Sequence, residues 1–213
     1  MRQPLSQILT ELFREEPPIA GMRLNRLLER TEGRGLYPVI IVLCLPFVVP
    51  VSVPGMSTLL GAMILLLLVH PASGSMRLPA FLGERRLPRN LLQRQVANGS
   101  IRVLRWLEVV VRPRRNSWLG RRSIAAFNRM LIAGLAVLLA LPLPTPPFFF
   151  SNSLPSYAII VLAACVMESD GILIWAAYVL VALNLAFFAM IGSVIAAGLT
   201  QGWNAFDHLW FQP

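Results

Sequence analysis

The stretch LPFVVPVSVPGMS, residues 45–57, decides the fold. It sits inside an almost uncharged run from Leu36 to Val69, yet Pro46, Pro50, Pro54 and Gly55 interrupt it at its centre. A proline removes one backbone donor and clashes with the preceding helical turn. Lipid offers no substitute for the lost hydrogen bond, so broken backbone at membrane depth must be covered by protein or must line a polar cavity.

The bulk numbers set the solvent. The chain has 213 residues, 56% hydrophobic and 14% charged, with a mean hydropathy of +0.64. A soluble domain carries roughly 25% charged residues. The apolar residues concentrate at 36–69, 124–167 and 172–199, which reads as an integral membrane protein. Residues 1–35 are polar and charged throughout and show no cleavable signal pattern.

Neither half of the first apolar run is long enough to cross. Leu36–Leu45 and Ser57–Val69 would each be about 15–20 Å long as helices, against a hydrocarbon core of ~30 Å. They form either one kinked spanning helix or a re-entrant hairpin. Charge favours the hairpin. All 19 cationic residues are arginine, and twelve of them lie between Arg77 and Arg122 against only Glu84 and Glu108. Such a segment stays cytoplasmic. A hairpin keeps residues 1–35 on that same side.

The rest of the chain follows from periodicity and charge. Residues 4–16 and 22–31 read as short amphipathic helices, so 1–35 is expected as an N-terminal cytoplasmic unit and 36–70 as the first broken hairpin. Residues 71–123 form an arginine-rich cytoplasmic, interfacial segment. There Ile101, Leu104 and Leu107 are expected to face lipid, with Arg102 and Arg105 on water and phosphate and Trp106 at headgroup level. Arg102, Arg105, Arg112, Arg114 and Arg115 are the candidate headgroup contacts, so anionic lipids are expected partners. Plain topology control by solvated arginines is the simpler account of the same run. Nucleic acid is not expected, since aromatic stacking residues are sparse there.

Ile124–Leu141 is one apolar span, LPLPTPPFFFSNSLPS (141–156) breaks it, and Tyr157–Met167 is short again, so 124–171 reads as a second broken hairpin. Ile172–Leu199 can cross with tilt, and 200–213 is an arginine-free tail with Trp203 and Trp210. The two breaks form an internal repeat: Pro46 corresponds to Pro142 and Pro54 to Pro155. Matched interrupted segments point to a site near mid-membrane. The fold expected is therefore all-α and multi-pass, with two proline-broken re-entrant helical hairpins plus amphipathic interfacial helices. Whether the hairpins are parallel or inverted stays open.

The candidate binding residues are those around the breaks: Ser52, Pro54, Gly55, Ser57, Thr58, Thr145, Ser151, Asn152, Ser153 and Pro155. Helix starts at Pro54-Gly55 and Pro155-Ser156 would present partial positive charge to a phosphate or carboxylate. The plainer role of these tips is to turn the chain and let helices pack closely, as Gly55 and Gly61 would allow. Cys44 and Cys165 read as small buried hydrophobes with no metal spacing. No catalytic motif such as GxSxG, HExxH or a P-loop is present, so neither an enzyme, a metal nor a cofactor is expected.

EGRG (32–35), LPFVVPVSVPGMSTLLG (45–61), LRWLEVVVRPRR (104–115), the second break and ESDG (168–171) together resemble the ExoD family of bacterial exopolysaccharide-synthesis proteins. The second tip departs from the glycine- or asparagine-rich form of that family, carrying Thr145-Pro146-Pro147-Phe148. The resemblance implies a multi-pass protein of the bacterial inner membrane linked to exopolysaccharide production, with no catalytic reaction attached. It marks Glu32, Arg34, Glu168 and Asp170 as candidates for proton coupling or ion pairing, beside the simpler task of ending helices. The expected function is to bind or translocate a lipid-linked or anionic intermediate where the two re-entrant loops meet. The alternative is a non-transporting scaffold or regulator of polysaccharide biosynthesis enzymes. Expected partners are a lipid-linked saccharide intermediate or those biosynthetic proteins, and the small size suits a homodimer.

Overall fold

The computed structural model describes residues 7, 11, 36–48, 56–69, 94–111, 118–141 and 151–210, and every described element is helical. Six α-helices are described: α1 Tyr37–Cys44, α2 Met56–Val69, α3 Arg94–Val110, α4 Arg122–Ala140, α5 Ser153–Glu168 and α6 Leu173–Trp210. A 3₁₀ turn, Leu45–Phe47, continues α1.

Helix α1 is the innermost element. Its sequence, YPVIIVLC, is rich in β-branched residues and so is a mediocre helix former on its own. Packing holds it instead: every residue from Pro38 to Phe47 is buried. Pro38 sits in the first turn, where its missing N–H costs nothing. Pro46 then breaks the ladder. The Leu45 N–H donates to the carbonyls of both Ile41 and Val42. The chain tightens to 3₁₀ geometry, in which the Val48 N–H donates to the Leu45 carbonyl at 3.1 Å.

The helices pack crosswise between the two halves of the chain. Helix α1 lies on α5, α2 lies on α4, α4 lies on α5, and α5 lies on α6. The α2–α4 contact is close because Gly61 has no side chain. A Cβ there would sit 2.8 Å from the Ala136 carbonyl oxygen and 2.9 Å from Ala140 Cβ.

The ends of α4 and α5 are written locally. Leu141, the residue after α4, is extended at ψ 121° because a residue before proline is driven out of the helical region by Pro142. After α5, Ser169 turns left-handed at φ 56° and ψ 40°. The Asp170 N–H then donates to the Cys165 carbonyl at 2.9 Å and the Ser169 N–H to Val166 at 3.3 Å. Those two bonds make a Schellman stop, with serine in the place glycine usually holds.

Two helices are long and apolar enough to cross a membrane: Arg122–Ala140, 19 residues, and Leu173–Gln201, 29 residues. Only 11% of the most apolar window of the second is buried, so α6 lies on the outside of the bundle. The apolar helices at Tyr37–Phe47, Met56–Val69 and Ser153–Glu168 are shorter, as the interrupted sequence pattern implies.

Helix α3 corrects one expectation. Leu104 and Leu107 do not face outward; they are 2% and 4% exposed, and α3 packs on the Leu45–Phe47 turn. The leucine stripe finds a protein surface to cover because the 3₁₀ turn presents Leu45 and Phe47 as apolar partners. Arg102 and Arg105 are exposed, as expected.

Candidate functional site

The second break and the helix after it hold the polar residues that the sequence singles out. Asn152 precedes α5 and provides no side-chain cap for it. Ser151 is buried, Asn152 and Ser153 are half-buried, and Pro155 is buried in the first turn of the helix. Ser156 is wholly buried and donates its hydroxyl to the Asn152 carbonyl at 2.8 Å. The same carbonyl accepts the Ser156 backbone N–H at 3.4 Å, so Ser156 holds the first turn of α5 through both its groups.

The two broken segments are joined by one side chain. Tyr157, one turn into α5, donates its hydroxyl to the Val48 carbonyl at 3.1 Å. Val48 ends the 3₁₀ turn at the first break. The end of the first half's 3₁₀ turn is therefore tied to the second half by a phenol.

Of the first-break residues, Ser57 is buried in the first turn of α2, whereas Thr58 is exposed. The structure brings Ser151, Asn152, Ser153 and Pro155 together as one continuous edge; Ser57 lies on α2, which packs on α4 rather than directly into that edge. Ser52, Pro54, Gly55, Thr145, Glu32, Arg34, Arg112, Arg114 and Arg115 lie outside the described residues.

Asp170 is wholly buried and has a definite task. Its Oδ1 accepts the N–H groups of Ile172 and Leu173 at 3.0 and 3.1 Å. It thus caps the start of α6, where a carboxylate also complements the positive helix end. Ser169 and Asp170 together account for two letters of the ESDG turn, one for the reversal and one for the cap. Glu168 is half-buried at the end of α5.

Two asparagines that the sequence reading passed over are the most deeply buried amides. Asn128 on α4 is 0% exposed; its Oδ1 accepts the Tyr178 hydroxyl at 2.8 Å, while its Nδ2 has no partner among the described residues. Asn184 on α6 is 1% exposed; its Nδ2 donates to the Leu180 carbonyl at 2.9 Å and its Oδ1 has no partner among the described residues. The signal was available: an amide in the middle of an apolar span is expensive and turns inward. Around Asn128, Phe127, Trp175 and Tyr178 make edge-to-face ring contacts at 5.8–5.9 Å.

Asn184 and Ser156 lie at matching distances along the α6 and α5 helices from their shared turn. Helices α5 and α6 are joined by a short turn and pack on one another, and Ser156 and Asn184 each lie fourteen residues from Asp170. Among the described residues no three side chains of the His, Cys, Asp or Glu types gather as metal ligands. Cys44 and Cys165 are free and buried.

Among the described residues these features define a helical protein with two helices of membrane-spanning length and three shorter apolar helices. The chain belongs to the ExoD family, described as exopolysaccharide synthesis, whose family model matches residues 5–190. It is 32% identical over 192 residues to Protein ExoD of Rhizobium meliloti (strain 1021), covering 86% of this chain and 75% of that protein. No solved structure matches the chain.

Proposed function

We propose that this ExoD-family chain is a multi-pass protein of the bacterial inner membrane in which the two proline-broken segments form re-entrant hairpins and together seat an anionic, lipid-linked saccharide intermediate of exopolysaccharide synthesis. The observation that carries the reading is the Tyr157–Val48 hydrogen bond, because it joins the two breaks across the whole middle of the chain. Broken backbone is tolerated in hydrocarbon only when another part of the protein supplies its partners.

Helix lengths support the depth of the seat. At ~1.5 Å per residue, the 16 residues of α5 reach about 24 Å, and the 29 apolar residues Leu173–Gln201 of α6 reach about 43 Å. Both start from the same turn. The second break would thus stand about 24–28 Å from that turn, measured along α5 or along the 19 residues of α4, within a ~30 Å core and toward its far side if α6 crosses. The crosswise packing of α1 on α5 and of α2 on α4 supports the paired-halves reading, since each half supplies one partner to each contact.

The seat would consist of the uncapped start of α5, the hydroxyls of Ser151 and Ser153, and the Asn152 amide. Helix starts attract phosphate, and hydroxyls and amides suit sugar hydroxyls. Glu168 and Asp170, at the opposite end of α5, stand too far along the helix to touch such a ligand; their role in this reading is to fix the α5–α6 turn.

The test is complementation of a strain lacking the protein. Asn152→Ala, Ser153→Ala and Tyr157→Phe, combined, are expected to cut exopolysaccharide output at least tenfold with membrane abundance unchanged. Normal output at normal abundance would remove the seat and leave the scaffold role as the family function of this chain.

A further inference from the structure

Helix α3 has two distinct faces, one buried and one exposed among the described residues. At about 100° per residue, Leu104, Leu107 and Val111 centre on one side, and Arg102, Arg105, Trp106 and Val109 fall within an arc of about 100° on the opposite side. The first set is buried on the Leu45–Phe47 turn. The second is exposed: Trp106 is 61% and Val109 67% accessible, with both arginines beside them.

That outer arc suits one environment. Water would leave an indole and a valine uncovered. Hydrocarbon would strand two guanidinium groups. The headgroup layer takes all four, with Trp106 and Val109 reaching the acyl boundary and Arg102 and Arg105 on lipid phosphates. Arginine and tryptophan occur together again where both spanning-length helices begin. Arg121 and Arg122 are exposed at the start of α4, and the rings of Trp118 and Trp175 lie 6.2 Å apart.

We infer that the outer face of α3, made of Arg102, Arg105, Trp106 and Val109, is a docking surface for an anionic lipid leaflet, and that it links leaflet charge to the first break through Leu104 and Leu107. The side that meets lipid is therefore the arginine side, not the leucine side. The inference does not depend on the seat proposed above.

The test uses the full chain in nanodiscs of phosphatidylcholine alone or of phosphatidylcholine mixed with phosphatidylglycerol. A nitroxide is attached through Val109→Cys, while the buried Cys44 and Cys165 are shielded from the reagent. In the anionic discs the label is expected to be relaxed severalfold more by oxygen, which dissolves in lipid, than by a water-soluble nickel chelate. Arg102→Gln with Arg105→Gln is expected to shift the membrane-bound to free ratio of α3 about 30-fold toward water, from the usual attraction of two cationic side chains to an anionic surface. Added salt should act in the same direction. A label open to the nickel chelate in anionic discs would overturn the inference. So would a label shielded from both relaxants in a protein-concentration-dependent way, which would put a second copy on that face instead.

Discussion

Tyr178 on α6 gives its hydroxyl proton to the Asn128 carboxamide oxygen on α4, at 2.8 Å. This side-chain bond ties together the two helices of spanning length, and it sits among the rings of Phe127 and Trp175. Removing one partner leaves a wholly buried amide unpaired. Tyr178→Phe is expected to destabilise the protein by about 0.5–2 kcal/mol, the range for interhelical hydrogen bonds in membrane proteins. Tyr178→Phe with Asn128→Leu should recover part of that loss, because an apolar pair leaves no stranded polar atom. Thermal unfolding of the two variants in detergent compares them directly, and a double variant worse than the single would refute the account.

Gly61 is expected to tolerate no side chain. Alanine gains about 1 kcal/mol of helix propensity over glycine, yet overpacking of this kind costs about 1–3 kcal/mol. With a Cβ 2.8 Å from a backbone oxygen, strain wins, so Gly61→Ala should lower the melting temperature and Gly61→Leu should abolish accumulation. Gly192→Ala and Gly198→Ala, where nothing lies within 4 Å, serve as controls and should be neutral or slightly stabilising.

Ser169→Gly should stabilise the turn between α5 and α6. A left-handed serine carries roughly 1–2 kcal/mol of strain, and glycine's extra chain entropy takes back about half. A net gain of about 0.5–1 kcal/mol is expected. Ser169→Val should move the other way by a larger amount, and chemical unfolding midpoints give both signs.

Asp170→Ala removes an acceptor shared by two backbone N–H groups. The expected loss is about 0.5–2 kcal/mol, with faster hydrogen exchange confined to the first turn of α6. Asp170→Asn keeps the oxygen and should retain most of the stability. If the Asn variant is stable but fails to support exopolysaccharide production, charge at this position matters beyond capping.

The legible parts of this chain are those fixed by neighbours in sequence. Pro142 dictates where α4 stops, Pro46 dictates the 3₁₀ turn, and the length of the apolar run dictates α6. The stripe of Leu104 and Leu107 announces an amphipathic helix, but periodicity says only that a face is apolar, not whether lipid or protein covers it. That is why the arginine face of α3 is legible as exposed, while the cover on its leucine face is protein rather than lipid. Tyr157 gave no hint of Val48, because a contact spanning 109 positions leaves no local pattern. Asn128 and Asn184 are legible only as lone amides inside otherwise smooth apolar spans, a signal of burial that names no partner.

Helix α1 imposes an order on how this protein is made. The segment Pro38–Phe47 is enclosed largely by α5, which leaves the ribosome more than a hundred residues later. At about 5–20 residues per second, the nascent segment waits on the order of ten seconds for its wrapping. During that interval α2 and α3 are the described elements already made that touch this segment and its 3₁₀ turn. A chain stopped before residue 151 would never close over it, and quality-control proteolysis would see an unsheltered break. The first half of this chain thus reaches its full burial only once the second half arrives.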